Sequence, residues 1–236
     1  MRAGEARALQ FTPLAPLVHP VRMLRIQGYS NVSSVRPAIQ RAAEAMAQLA
    51  ARLSEPRVTY RRAAVRGIGG GVLEIEGSFR FHCKAFDRTL KGCTEVALFV
   101  LTVGKALDQQ VIELVESGDL LEALLLETAG WLCIEDATRQ FKTRLRDESR
   151  ARGYRITSRL GPGYSYRIGE DTCMWSLEEQ ATLFAAFGGE ELPVALMASA
   201  AMQPKMSRSG LFGVAPLPAA ARGAAAAEPL RAIRAV

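Results

Sequence analysis

The chain has 236 residues, of which 49% are hydrophobic and 23% are charged. This length allows one hydrophobic core, or a core with a small appendage. The formal net charge is +6, but much of the excess lies near the two ends, at Arg2, Arg7, Arg22, Arg25, Arg222, Arg231 and Arg234. No block of Lys and Arg alternates with aromatic residues, so we do not expect the chain to bind nucleic acid. A diffuse basic surface suits an acidic protein partner better.

The four cysteines, Cys83, Cys93, Cys133 and Cys173, are widely spaced and include no C-x-x-C pair. Because the chain has only two histidines, we expect neither a zinc site nor a Cys–His catalytic pair. Lone thiols without an apolar signal segment are typical of a cytoplasmic protein. No run reaches the length of about eighteen apolar residues that a membrane span needs, so no membrane contact is expected.

The first part of the chain divides into an arm and the beginning of a domain. Residues 1–33 are rich in Arg and Pro and lack a hydrophobic period, so we expect an extended basic arm. Residues 37–53 place apolar side chains on one helical face, with Pro37 in the first turn, and predict a helix. A strand over residues 58–66 and a hairpin that turns at Gly77 follow.

The middle of the chain contains the clearest patterns. A short helix is expected over residues 84–90, and the continuous apolar run of residues 95–103 predicts a buried central strand. Two helices follow over residues 105–117 and 119–152, because Gly118 and Asp119 supply a break and an N-cap. A strand over residues 154–159 then leads into a Pro-Gly turn.

The last part of the chain contains a capping signal and a biased tail. Ser176 and Glu179 have the spacing of a capping box, which predicts a helix over residues 177–187. Residues 194–198 are expected to form the last strand. Ala, Arg and Pro dominate residues 216–236 and predict a disordered tail, which leaves residues 34–215 as the domain. This order of elements predicts an α+β fold rather than alternating βαβ units.

A glycine cluster, Gly67-Ile-Gly69-Gly70-Gly71, follows the strand predicted over residues 58–66. In a Rossmann-like methyltransferase, such a loop needs a helix directly after it, so that backbone amides face the ligand. Here the following residues alternate as a strand does. We therefore interpret the cluster as a hairpin turn, and a Rossmann-type methyltransferase is disfavoured.

The segment Arg159-Leu-Gly161-Pro162-Gly163-Tyr164 combines a permanent cation, a tight turn and an aromatic ring. This combination suits a small ligand that carries both a carboxylate and a flat heterocycle. Pro-Gly is also a common pair in ordinary turns, so the segment taken alone leaves a plain surface turn open.

Four segments, in order, resemble the activation domain of cobalamin-dependent methionine synthase. Residues 159–164 are similar to its Arg-x-x-Pro-Gly-Tyr, and residues 175–180 to its Trp-Pro-Leu-x-x-Gln. Residues 202–210 resemble its Met-x-Pro-x-x-Ser-Val-Ser-Gly. Residues 101–108 are similar to a strand end and helix start in stand-alone members. The resemblance covers roughly residues 95–214 and implies a mixed, mainly antiparallel twisted sheet with flanking helices.

The resemblance also implies a binding site for S-adenosylmethionine (AdoMet). The candidate contacts are Arg159, Gly161, Pro162, Gly163, Tyr164, Glu135, Ser207, Ser209 and Gly210. Arg159 would bind the methionine carboxylate, and Glu135 on the long helix, or else Asp136, would accept from the amino group. Backbone groups of residues 161–163 would meet the adenosine, and Tyr164 would cover the ligand.

Other candidate residues have less specific roles. Ser207, Ser209 and Gly210 would build a wall of the site or a rim facing a partner, or they would be purely structural. Residues 165–174 are inserted where the family places the Trp about two residues after the Tyr, and they would cover the site or replace a contact. We expect no catalytic acid or base and no metal ligand in this chain.

The function implied by the resemblance is the reductive reactivation of a cobalamin-dependent methyltransferase. AdoMet would donate the methyl group that re-forms methylcobalamin from cob(II)alamin. The cobalamin would be carried by a partner, either a methionine synthase that lacks its activation domain or another corrinoid-binding methyltransferase. A flavodoxin- or ferredoxin-type protein would supply the electron. The alternative is a non-catalytic protein, either an AdoMet-sensing adaptor or a chaperone for a corrinoid protein.

Overall fold

The computed structural model describes residues 8–218 of the chain. The α-helices are α1 (Pro20–Ile26), α2 (Pro37–Leu53), α3 (Ala85–Thr89), α4 (Ala106–Glu116), α5 (Leu120–Ala151) and α6 (Gln180–Ala185). The strands are β1 (Leu9–Phe11), β2 (Arg57–Gly69), β3 (Val72–Ile75), β4 (Arg80–His82), β5 (Glu95–Thr102), β6 (Tyr154–Leu160), β7 (Ser165–Ile168), β8 (Asp171–Met174), β9 (Ala195–Leu196), β10 (Met202–Gln203) and β11 (Ser207–Pro216).

Among the described residues, seven strands form one antiparallel sheet in the order β4-β3-β2-β5-β11-β6, with β1 paired to β2 beside β3. The strand β5 is central and almost entirely buried, as its continuous apolar sequence predicts. The strand β11 pairs with β5 on one side and with β6 on the other. Two small sheets, β7-β8 and β9-β10, lie outside this order.

Helices cover both faces of the sheet. On one face, the buried side chains of α2 and α5 pack on Phe99, Leu101 and Phe212, with α1 and α4 at the margins. On the other face, α3 and α6 enclose Trp175, whose ring meets Phe81 and Phe86 edge-on at centroid distances of 5.7 and 5.1 Å. This aromatic cluster fixes the position of the segment that follows the Arg159–Tyr164 turn.

Most predicted elements are confirmed. The fold is α+β with a mainly antiparallel sheet, and the helix expected over residues 37–53 is α2. The hairpin predicted around Gly77 is β3-β4, with Gly77 at a positive φ of 78° that a residue with a side chain rarely adopts. The strand over residues 95–103, the two helices after it and the strand over residues 154–159 are also present, as β5, α4, α5 and β6.

The predicted last strand over residues 194–198 is wrong. Only Ala195–Leu196 is extended, and it pairs with β10 outside the main sheet. The sheet is instead completed by β11, which no pattern predicted. The capping box is also wrong in part: the Ser176 hydroxyl accepts from the backbone N–H of Glu178, and the Glu179 carboxylate contacts other residues.

The described part of the N-terminal segment differs from the extended arm expected for residues 1–33. It contains β1, which joins the sheet, and α1, whose Met23 and Leu24 are buried in the core. The tail expected over residues 216–236 lies, from residue 219 onward, outside the described residues. No helix within residues 8–218 is both long and apolar enough to cross a membrane.

Candidate functional site

The Arg159–Tyr164 segment is a turn that leaves the edge strand β6. The N–H of Gly161 donates to the Tyr166 hydroxyl at 2.7 Å, and that hydroxyl donates to the Gly161 carbonyl at 3.0 Å. The N–H of Gly163 donates to the carbonyl of Trp175 at 2.8 Å, and the N–H of Trp175 donates to the carbonyl of Tyr164 at 3.1 Å. The inserted residues 165–174 form the hairpin β7-β8, and this hairpin and the Trp175 that follows it hold the turn by these hydrogen bonds.

The side chain of Arg159 lies over the ring of Tyr164, with Cζ 4.3 Å from the ring centroid. Its Nη1 atom is buried and has no hydrogen-bond partner among the described residues. A Cβ at Gly161 would lie only 2.8 Å from this atom, so the glycine leaves room for the guanidinium. A buried guanidinium nitrogen without an acceptor is costly, and a ligand carboxylate would satisfy it.

Glu135 projects from α5 toward the same end of the sheet, where Arg208 of β11 meets it. Nη2 of Arg208 donates to Oε1 of Glu135 at 2.6 Å, and Nη1 donates to the Thr138 hydroxyl at 3.1 Å. The Arg208 side chain is 5% exposed, whereas that of Glu135 is 48% exposed. A carboxylate that was expected to meet a ligand thus already has a cationic partner from the protein.

The charges around Glu135 are mostly positive. Burial favours the neutral carboxyl, but the hydrogen bond and charge of Arg208, with smaller contributions from Arg159 and Arg22, outweigh it and lower the pKa of Glu135. Three guanidinium groups therefore act on one carboxylate, and the surplus of positive charge favours an anionic group in a ligand.

Asp136, the alternative to Glu135, faces a different part of the structure. Its Oδ2 accepts from Gln140 at 2.9 Å and from the N–H of Leu17 at 3.4 Å, and its Oδ1 pairs with Arg139. This carboxylate links the N-terminal segment to α5. It does not join the group formed by Arg159 and Glu135.

The hydroxyls of Ser207 and Ser209 make internal hydrogen bonds on the sheet face opposite to Arg208. Ser209 donates to Oε1 of Gln180 at 2.8 Å, and Ser207 donates to the carbonyl of Pro204 at 2.7 Å. Gly210 is where β11 approaches β6, since a Cβ there would lie 2.2 Å from the Leu160 carbonyl oxygen. These three residues shape the sheet beneath the turn, and the two hydroxyls do not point into the Arg159 group.

Two residues at this site were missed from the sequence. Arg208 lies in the segment 202–210 that resembles the family, at the position where the family pattern has Val. The replacement of an apolar residue by a cation there could have indicated a role for Arg208. Tyr166 lies in the inserted residues, and no spacing rule links it to Gly161. The insertion was expected to cover the site or replace a contact, and the structure shows that it supports the turn.

Comparisons of the sequence with models of protein families and with curated proteins gave no match. Comparison with solved structures gave matches that include the reactivation domain of MetH bound to AdoHcy (S-adenosylhomocysteine). The TM-score is 0.65 at 14% sequence identity, over 91% of this chain and 80% of that one. The chain therefore shares the fold of the MetH reactivation domain.

Proposed function

We propose that this chain binds AdoMet at the Arg159–Tyr164 turn and takes part in the reductive reactivation of a cobalamin-dependent methyltransferase. The observation that carries the proposal is the buried Nη1 of Arg159, which lacks an acceptor among the described residues and lies beside an aromatic ring. The shared fold supports it, because the MetH reactivation domain of the same fold was solved with AdoHcy, which is AdoMet without its methyl group.

The residues present offer groups that suit the carboxylate, the adenine and the ammonium group of such a ligand. Arg159 is the donor for the methionine carboxylate, and a shift of its side chain toward the ligand would give the buried Nη1 the acceptor that it lacks. The exposed ring of Tyr164 offers an aromatic surface for the adenine. Oε1 of Glu135 is engaged by Arg208, so Oε2 is the atom left to accept from the ligand ammonium group.

AdoMet supplies an electrophilic methyl group at its sulfonium sulfur. The chain's own residues bind and orient that ligand and keep water from it, and the transfer requires no proton to be moved. In balanced form, cob(II)alamin, one electron and AdoMet give methylcobalamin and AdoHcy. A methyltransferase partner, such as a methionine synthase without its own activation domain, carries the corrinoid. A flavodoxin- or ferredoxin-type protein donates the electron.

A second candidate function is favoured by the Arg208–Glu135 pair. Because Arg208 already neutralises Glu135, the carboxylate is a weaker acceptor for the ligand ammonium group than a free one. A protein that senses AdoMet, or that holds a corrinoid protein without turnover, can tolerate such weakened binding. The two candidates share the ligand site and differ in whether methyl transfer follows.

The binding part of the proposal is tested by calorimetric titration of the full chain with AdoMet and AdoHcy. We expect Arg159→Ala to weaken binding by roughly 10- to 100-fold, the value of one charge-assisted hydrogen bond. Arg155→Ala is the matched control, since Arg155 lies on the same strand and is exposed. Equal affinities for the wild type and Arg159→Ala would refute the assigned site.

The reaction part is tested with a cob(II)alamin-loaded methyltransferase that lacks an activation domain, a chemical reductant and AdoMet. Methylcobalamin formation, followed by its absorption spectrum, should depend on this chain and should fall in the Arg159→Ala variant. A stable complex with the partner but no methylcobalamin would assign the chain to the adaptor class.

A further inference from the structure

Two of the four cysteines lie side by side across the inserted hairpin. Cys83 follows β4 directly, and Cys173 lies in β8 of the hairpin, 90 residues later in the chain. Their sulfur atoms are 3.8 Å apart. Cys93 and Cys133 are buried and free, and the structure gives no hydrogen bond between either of them and another cysteine. The pair is therefore formed by the fold, and the sequence spacing gives no sign of it.

The backbone of Cys83 is more firmly held than that of Cys173. Cys83 is held by its backbone, since its N–H donates to the Gly71 carbonyl at 2.7 Å and its carbonyl accepts from Phe86 at 3.0 Å. Cys173 lies on the β7-β8 hairpin, whose two strands pair with each other and with no other strand of the described residues. A disulfide has an S–S length of about 2.05 Å, so the sulfurs must approach by somewhat less than 2 Å. A small shift of the hairpin supplies that movement.

A cavity of about 1000 Å³ gives access to the pair. Both cysteines line it, together with the Gly70–Gly71 turn, Asp87 and Arg88 of α3, and the hairpin residues Asp171 and Thr172. Cys173 is partly exposed, whereas Cys83 is 5% exposed. The volume accommodates a disulfide of the size of a small peptide. Such a molecule can reach the partly exposed Cys173 more easily than the buried Cys83.

We propose that Cys83 and Cys173 form a reversible disulfide, with a low-molecular-weight disulfide such as oxidised glutathione as the oxidant. The Cys173 thiolate attacks one sulfur of the oxidant, which breaks the oxidant's S–S bond and releases one thiol. The Cys83 thiol then loses its proton and attacks the Cys173 sulfur, which releases the second thiol. Two protein thiols and one small disulfide thus give one protein disulfide and two small thiols.

The order of the two steps follows from the surroundings. Burial raises the pKa of the Cys83 thiol to about 11, and the neighbouring Cys173 and Glu179 also raise it. A thiol that is seldom ionised is a poor first nucleophile. It acts in the second step, where the mixed disulfide on Cys173 is held next to it and the reaction is intramolecular.

Formation of the Cys83–Cys173 disulfide would affect the Arg159–Tyr164 turn. Cys173 stands directly opposite Tyr166 in the hairpin, and the Tyr166 hydroxyl holds both polar backbone groups of Gly161. Tethering β8 to Cys83 would therefore restrain Tyr166 and the Arg159–Tyr164 turn. The thiols react without AdoMet, so the disulfide can be tested independently of the proposed function.

The test is thiol counting and peptide mapping on the full chain after treatment with oxidised glutathione. We expect the four free thiols to fall to two, with a peptide pair joined through Cys83 and Cys173, and dithiothreitol should restore all four. Cys83→Ser and Cys173→Ser should each abolish the bond. Cys93→Ser is the matched control and should leave it unchanged.

A second readout follows the hairpin itself. Arg167 is exposed on β7, so trypsin cleavage after it should slow when the disulfide forms and recover on reduction. Slowed cleavage that persists in Cys83→Ser would contradict the proposal. So would four unreacted thiols in the treated wild type, a glutathione adduct on Cys173 with no bond to Cys83, or loss of the bond in Cys93→Ser.

Discussion

Arg208 on β11 donates to Glu135 on α5 at 2.6 Å, and this bond joins the sheet to the long helix at the edge of the candidate site. The arginine is almost fully buried, while the carboxylate it meets is half exposed. The desolvation cost of the pair is therefore smaller for the carboxylate than for the guanidinium. It stabilises the position of a side chain that would otherwise be free to turn toward a ligand.

Replacing this arginine should lower stability in a pH-dependent way. We expect Arg208→Met to reduce the free energy of unfolding by about 1–3 kcal/mol at pH 7, because Glu135 and Thr138 lose a charged donor. The folded-state pKa of Glu135 lies below its usual 4.5, so this stabilisation is present above pH 4.5 and is lost as the pH falls through the lowered value.

Urea unfolding at pH 7 and near pH 3.5 measures both parts of this prediction. The difference between the wild type and Arg208→Met should narrow at the lower pH. Arg167→Met is the control, because Arg167 is an exposed arginine on β7 and its loss should change stability little. An equal difference at both pH values would show that the packing of Arg208, rather than its charge, stabilises the fold.

The hydroxyl of Tyr166 should matter more than that of Tyr164. In Tyr166→Phe, the N–H and carbonyl of Gly161 lose their shared partner, and we expect a loss of about 1–2 kcal/mol in the free energy of unfolding. Tyr164→Phe keeps the ring that lies under Arg159 and should be nearly neutral. Thermal unfolding of the two variants compares them, and equal losses would contradict the role given to Tyr166.

Gly210 should not tolerate a side chain. In Gly210→Ala, the new Cβ would lie 2.2 Å from the Leu160 carbonyl oxygen, at a backbone φ of 150°. We expect a loss of roughly 3 kcal/mol or more, from overlap and backbone strain together. Gly69→Ala is the control, since nothing lies within 4 Å of its added Cβ. A Gly210→Ala variant that unfolds at the wild-type temperature would exclude the close approach of β11 and β6.

Glu179 should stabilise the fold through Trp175. Its carboxylate accepts from the indole Nε1–H of Trp175 at 2.6 Å and from the backbone N–H of His82 at 2.8 Å. Glu179→Ala leaves a buried indole N–H without its acceptor and should cost about 1–3 kcal/mol. The neighbouring exposed carboxylate provides the control variant Glu178→Ala. Chemical denaturation followed by Trp fluorescence would reveal the loss, and identical midpoints for both variants would contradict it.

Elements with a strong periodic pattern were predictable from the sequence. The helix α2 shows an apolar stripe and Pro37 at its start, and β5 is apolar between Glu95 and Thr102, as a strand buried on both faces requires. The turn at Arg159–Tyr164 was found from its residue types. In each of these cases, local sequence and tertiary environment favour the same structure.

The strand β11 was not predictable in the same way. Its sequence, Ser-Arg-Ser-Gly-Leu-Phe-Gly-Val-Ala-Pro, contains two glycines and a cation, which lower strand propensity. The glycines are required by neighbours that only the fold supplies: Leu160 approaches Gly210, and the sulfur of Cys93 would lie 2.6 Å from a Cβ at Gly213. Tertiary contacts of this kind leave no periodic signal.

Candidate residues of the site could be named from the sequence, but the contacts between them could not. The sequence identified Arg159, Tyr164 and Glu135 but gave no reason to place Arg208 against Glu135, since the two are 73 residues apart. It suggested a capping role for Glu179, whose carboxylate instead contacts His82 and Trp175. Side chains that can satisfy several partners take the one that the packed structure offers, and local spacing does not reveal which.

The position of β11 between β5 and β6 has a consequence for synthesis of the protein. Within residues 8–218, the strand β6 pairs with β11 alone in the main sheet, so it lacks this partner until residues 207–216 have emerged from the ribosome. The strand that carries Arg159 thus lacks its partner in the sheet for some fifty residues of translation, although the β7-β8 hairpin that supports the Arg159–Tyr164 turn follows directly. In the nascent chain, the helices and the β2-β5 pair can assemble well before β6 joins the sheet.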